Sequence, residues 1–92
     1  MWNRDPRIAL PLIERLGREP GLTIGDNLPY SGRDLAYSLD RHAGAARLAN
    51  CAIEMRQDGI ESDASVAFWA ELLAKALKEI LADPALHQPV VY

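Results

Sequence analysis

Apolar residues recur at helical spacing in three stretches of this chain, alternate with polar ones in a fourth and form a short β-prone run in a fifth. Ile8, Leu12, Ile13 and Leu16 share one helical face, while Glu14, Arg15 and Arg18 fall elsewhere around the wheel. Asp5-Pro6 offers a capping residue followed by the residue best tolerated at a first helical position. Pro11, inside the pattern, removes one backbone donor, so this helix either kinks there or begins near Leu10; Gly17 and Pro20-Gly21 close it. Leu22-Thr23-Ile24 is short and β-prone, and it runs into Gly25-Asp26-Asn27-Leu28-Pro29-Tyr30-Ser31-Gly32, a concentration of turn formers. Ser31 and Asp34 have the spacing of a capping box, and Leu35, Leu39 and Ala43 predict a second helix over about residues 33–42, weakened at Gly44.

Over residues 50–56, Cys51, Ile53 and Met55 alternate with Asn50, Ala52, Glu54 and Arg56, which predicts a strand with Glu54 and Arg56 on one face. Beyond the turn Gln57-Asp58-Gly59, Ser62 or Asp63 caps the strongest helix, whose stripe is Val66, Trp69, Leu72, Leu73, Ala76, Leu77 and Ile80. Glu71 and Lys75 are spaced to pair on its outer side, and Asp83-Pro84 ends it. The order helix, strand, helix, strand, helix predicts an α/β domain, part of a three-layer arrangement with parallel strands and helical crossovers. Residues 1–84 carry this pattern, and 85–92 read as an unpatterned tail. Two parallel strands alone leave edges open, so the chain looks like a piece of a wider sheet protein.

Composition narrows the function classes. Hydrophobic residues make up 49% and charged residues 25% of 92, ordinary globular usage with room for one small core. A chain of 10.2 kDa is expected to expose about 5,300 Å² when folded. The net charge of −3 provides no basic field, which argues against nucleic acid and anionic membrane as partners. Charges and prolines interrupt the start, no long apolar run follows, and the single Cys51 fits a reducing compartment; these features read as cytoplasmic.

Few residues stand out chemically. Glu54, a carboxylate amid an apolar alternation, either transfers protons or simply meets solvent or Arg56. Tyr30 donates a hydrogen bond to a ligand or lies across a neighbouring helix; the rest of its loop is explained by turn chemistry. His42 near a helix end is accounted for by the helix dipole. Metal-ligand spacings, a phosphate-binding glycine loop and a nucleophile elbow are all absent, so no metal is assigned to this chain.

Taken together, Trp2-Asn3-Arg4-Asp5-Pro6-Arg7, the Gly25 to Gly32 string, Arg41-His42 and Ala52-Ile53-Glu54-Met55-Arg56-Gln57-Asp58, followed by a Trp-containing helix, resemble the C-terminal part of the N-formylglutamate amidohydrolase family. The match spans nearly the whole chain. That family resembles the zinc carboxypeptidase-like hydrolases, and the resemblance implies the C-terminal portion of their phosphorylase/hydrolase-like fold. It also implies cleavage of an N-formyl or N-acyl amino acid such as N-formylglutamate by a metal-activated water. By this similarity Glu54 is the proton-transfer group and Tyr30 closes over substrate, while Asn27, Arg33, Arg56 and His42 fall in matched segments that meet the substrate; an arginine grips a carboxylate with two prongs. The zinc ligands of the family lie upstream of the matched region. Zinc is therefore expected in the complete family domain and not on this chain alone, which is expected to be inactive by itself. Two alternatives stand beside this reading: a non-catalytic interaction module that self-associates through an exposed sheet edge, and a truncated gene product.

Overall fold

The computed structural model describes residues 1–92 and contains three α-helices, α1 (Ala9–Gly17), α2 (Gly32–Leu35) and α3 (Asp63–Leu81). A π-helical segment (Leu39–Gly44) and two 3-10 turns (Gln57–Gly59 and Pro84–His87) complete the regular structure. There is no strand and no sheet, which overturns the expected α/β three-layer fold. The β-prone run at 22–24 is buried on one side without pairing: Leu22 and Ile24 pack against the helical core while Thr23 faces out, and no ladder joins this segment to 50–56. In the second segment Cys51 reaches the core, and Ile53 and Met55 are exposed. A period of two reports which side of an extended chain is covered; a sheet requires a neighbouring backbone as well.

Helix α1 starts at Ala9, close to the later of its two expected origins. Pro11 then lies in the first turn, where a missing N–H costs little. Asp5 does not cap this helix; its Oδ1 accepts the Arg7 N–H at 3.0 Å in a local turn. Helix α3 is capped by Ser62, which exchanges hydrogen bonds with Ser65 in a reciprocal box. Leu12 and Leu16 of α1 meet Leu72 and Ala76 of α3, with Trp69, Leu73, Leu77 and Ile80 packed around them. Arg15 crosses the same junction to Glu79 at 3.2 Å, whereas Glu71 and Lys75 form no ion pair. Val66, expected on the apolar stripe, is half exposed.

The second helix is much shorter than its pattern suggests. Ser31 Oγ accepts the Arg33 N–H at 3.1 Å, but Ala36 leaves helical geometry at φ −109°, ψ 40°, and the chain resumes as the π-helical segment. The tail is tied down instead of loose. Arg7 Nη1 donates to the carbonyls of Ala85 and Gln88 at 3.3 and 2.6 Å, and the Val90 N–H donates to Arg47 O at 3.0 Å.

Only 8 of 92 residues are buried, and the surface of 6538 Å² is well above the roughly 5,300 Å² expected for this mass. With so few buried side chains, each contributes a large share of stability. Leu72→Ala is expected to cost about 2–5 kcal/mol in urea unfolding, while Phe68→Ala on the exposed side costs less than about 1 kcal/mol. Equal losses at the two positions would contradict this placement of the core.

Candidate functional site

Residues 1–3 form a strip on which three distant segments converge. The Met1 amino group donates to Ala52 O at 2.6 Å and Met1 O accepts from the Ala52 N–H at 2.9 Å. Trp2 N–H donates to Asn27 Oδ1 at 2.8 Å, and its indole N–H donates to Asp26 Oδ1 at 2.7 Å. Asn3 Nδ2 donates to both carboxylate oxygens of Asp40, at 3.1 and 3.2 Å. Gly32 lies so close to the Trp2 backbone that a Cβ there would collide with it, and the Arg33 guanidinium sits 5.7 Å from the Trp2 ring centroid. Asn27 adopts φ +53°, a left-handed geometry that Asn tolerates, and its Oδ1 also accepts the Gly32 N–H at 3.2 Å.

This convergence distributes the expected site residues unevenly. Asn27 and Arg33 meet at Trp2, with the Asn27 carbonyl oxygen already satisfied by two backbone donors. Arg56 is bound to Asp58 at 2.7 Å, and Tyr30 is exposed without a hydrogen bond. His42 lines an open depression with Tyr37, Asp40 and Arg41. Glu54 is exposed and makes neither an ion pair nor a hydrogen bond; Arg56, its alternative partner, is taken by Asp58. No hydrogen bond or ion pair joins Tyr30, Glu54, Arg56 and His42 to one another.

A different set of residues forms the more enclosed concavity. Beside the strip, Asn3, Arg4, Asp5, Asp40, Arg47 and Asn50 line a cleft of about 410 Å³, whose apolar wall comes from Leu48 and the tail residues Val90, Val91 and Tyr92. Its carboxylates are already engaged, Asp40 with Asn3 and Asp5 with Arg7 in a two-pronged pair whose side chains are about one-tenth exposed. The hydrogen bonds that Arg7 donates to the Asp5 carboxylate raise the Arg7 pKa above its ordinary value, although desolvation works against them. Arg4 and Arg47 carry guanidiniums with no internal partner. The charged side chains of the lining balance, Arg4 and Arg47 against Asp5 and Asp40, with Asp5 already neutralised by Arg7 from outside the lining. Such a site suits a small anion with an apolar body. Asn3, Arg4 and Asp5 belong to the N-terminal motif, but nothing in the sequence assigned them a site role or tied them to Arg47 and Asn50.

No three His, Cys, Asp or Glu side chains gather in a group able to hold a metal ion. His87 Nε2 is engaged with Leu81 O at 2.8 Å and Cys51 is pressed onto the core, so the chain's own donors do not fit the zinc that the resemblance implies. No helix is long and apolar enough to cross a membrane. Comparisons with protein-family models, curated proteins and solved structures found no match.

Burial pushes the Cys51 thiol above its ordinary 9.0, with the nearby amino terminus pulling weakly the other way. The folded chain thus holds this proton more tightly than the unfolded chain. The resulting contribution to stability is present below the unfolded pKa and is lost as pH rises through 9.0 toward the folded value. Alkylation of Cys51 at pH about 8 is expected to be slower in the native chain than in urea, after correction for the reagent's own response to urea. Equal rates would contradict the burial.

Proposed function

We propose that this chain carries the substrate-recognition part of an amidohydrolase acting on N-formyl or N-acyl amino acids, as its resemblance to the N-formylglutamate amidohydrolase family implies. The observation that carries this reading is a cleft lined both by Arg4 and Arg47, whose guanidiniums have no internal partner, and by an apolar wall. An N-acylated acidic amino acid presents carboxylates for two-pronged contacts and methylenes for Leu48, Val90 and Val91. A volume of about 410 Å³ suits a molecule of that size.

In this reading Glu54 is the proton-transfer group, as the resemblance implies, and its exposed carboxylate has no internal partner to give up. It lies four residues beyond Asn50, so its Cα is no farther than about 14 Å from that cleft residue. Glu54 is not among the residues that line the cleft, and a general base works only within hydrogen-bond reach of the proton it takes, so this role requires the acyl end of the substrate to extend beyond the cleft lining. Tyr30 and His42, both exposed, remain available to the substrate, as does Arg33 from its place over Trp2. Arg56 becomes available once it leaves Asp58, an exposed pair of small energetic worth. Asn27 contributes by holding the loop onto Trp2.

Titration of the purified chain with N-formylglutamate, followed by amide chemical shifts, is expected to perturb residues 3, 4, 47 and 50 together. Arg47→Ala is expected to weaken binding about tenfold, the loss of one charge-assisted contact. Shifts confined to other regions, or an unchanged affinity in Arg47→Ala, would remove the basis for this function.

A further inference from the structure

The backbone of Ile53, Glu54 and Met55 makes no hydrogen bond within the molecule, and residues 48–56 contain no helix, turn or bend. This is an open stretch of donors and acceptors with two apolar side chains, Ile53 at 41% and Met55 at 40% exposure, alternating with two charged ones. Ala52 uses both its N–H and its C=O on Met1. Along an extended chain these groups alternate between the two edges, so Ile53 and Met55 direct theirs to the edge away from Met1. No backbone group along that edge is hydrogen-bonded within the molecule. A row of unpaired backbone groups of this kind is a template for strand addition.

We propose that the occupant is a second copy of this chain, paired antiparallel with Met55 on the two-fold axis. In this register the sequence Glu54-Met55-Arg56 is its own complement: Met55 faces the partner's Met55, and Glu54 faces the partner's Arg56 on both sides of the axis. The Met55 pair exchanges two backbone hydrogen bonds. Each Glu54 and Arg56 pair falls at the adjacent non-hydrogen-bonded position, where cross-strand side chains come closest. Met55 and Ile53 cover one another on the opposite, apolar face, removing exposed surface from a chain that has an excess of it. Arg56 gives up only its exposed contact with Asp58. The interface is small, so the association is reversible and concentration-dependent. It uses neither Arg4 nor Arg47 and does not rest on the function proposed above; it does engage Glu54 and Arg56, so in the paired form these two side chains are withdrawn from the substrate roles given to them there.

Sedimentation equilibrium of the full chain from micromolar to millimolar concentration tests the proposal. The average mass is expected to rise from 10.2 kDa toward twice that value. Because of the symmetry, Glu54→Arg alone sets like charges opposite each other at both positions and is expected to weaken association about tenfold; Arg56→Glu does the same. An equimolar mixture of the two variants restores opposite charges at both positions and should associate like the parent chain, as should the double variant with itself. Met55→Cys in a Cys51→Ser background is expected to form a disulfide between copies, since facing residues lie about 5.5 Å apart between Cα atoms, within the range of about 4.4–6.8 Å that a disulfide spans. Both substituted charges are exposed, and unchanged circular dichroism would confirm that the fold survives. A constant mass of 10.2 kDa up to millimolar concentration overturns the proposal, as does self-association that neither single charge reversal weakens.

Discussion

The Arg7 guanidinium is the constraint on which the cleft depends. All five of its N–H donors have partners: Asp5 through Nε and Nη2, Arg47 O through Nη2, and the carbonyls of Ala85 and Gln88 through Nη1. Its face also lies 5.6 Å from the centre of the Tyr92 ring. One side chain thereby holds together the N-terminal motif, the turn at residue 47 and the C-terminal tail. These three segments supply most of the cleft lining. A lysine, with a single ammonium, cannot satisfy a planar fork of this kind.

The rest of the molecule divides between an apolar and a polar means of cohesion. Helices α1 and α3 hold together through a small leucine and alanine core, braced by Arg15 and Glu79. Residues 25–56 gain little from that core and depend on hydrogen bonds to the strip at residues 1–3. Such ties fix positions well but bury little apolar surface. This is why the chain exposes more area than its mass predicts and leaves Ile53, Met55 and Phe68 uncovered.

Helical periodicity was the most legible feature of the sequence. Leu12, Leu16, Leu72 and Ala76 stood on the expected stripes and form the observed core, and of the two expected caps, Ser62 and Asp63, the former caps the last helix. The sheet was misread because β-propensity at 22–24 and alternation at 50–56 are statements about one segment, while strand pairing depends on another segment that local pattern does not specify. Pattern also overstated the second helix: Leu35, Leu39 and Ala43 keep helical spacing, yet Ala36 leaves helical geometry between them. For the site, sequence drew attention to the Gly25 to Gly32 loop and to Glu54, but the polar residues that close into a cleft come from positions 3–5, 40, 47 and 50. The tie between the two ends of the chain, made through Arg7, has no periodic signature.

The most direct test is hydrogen exchange at the Val90 amide, which donates to Arg47 O across the cleft beside Arg7. The parent chain should protect this amide, and Arg7→Lys should lose that protection while amides of α3 such as Leu72 keep theirs. Undiminished protection of Val90 in Arg7→Lys would contradict the role given to the guanidinium.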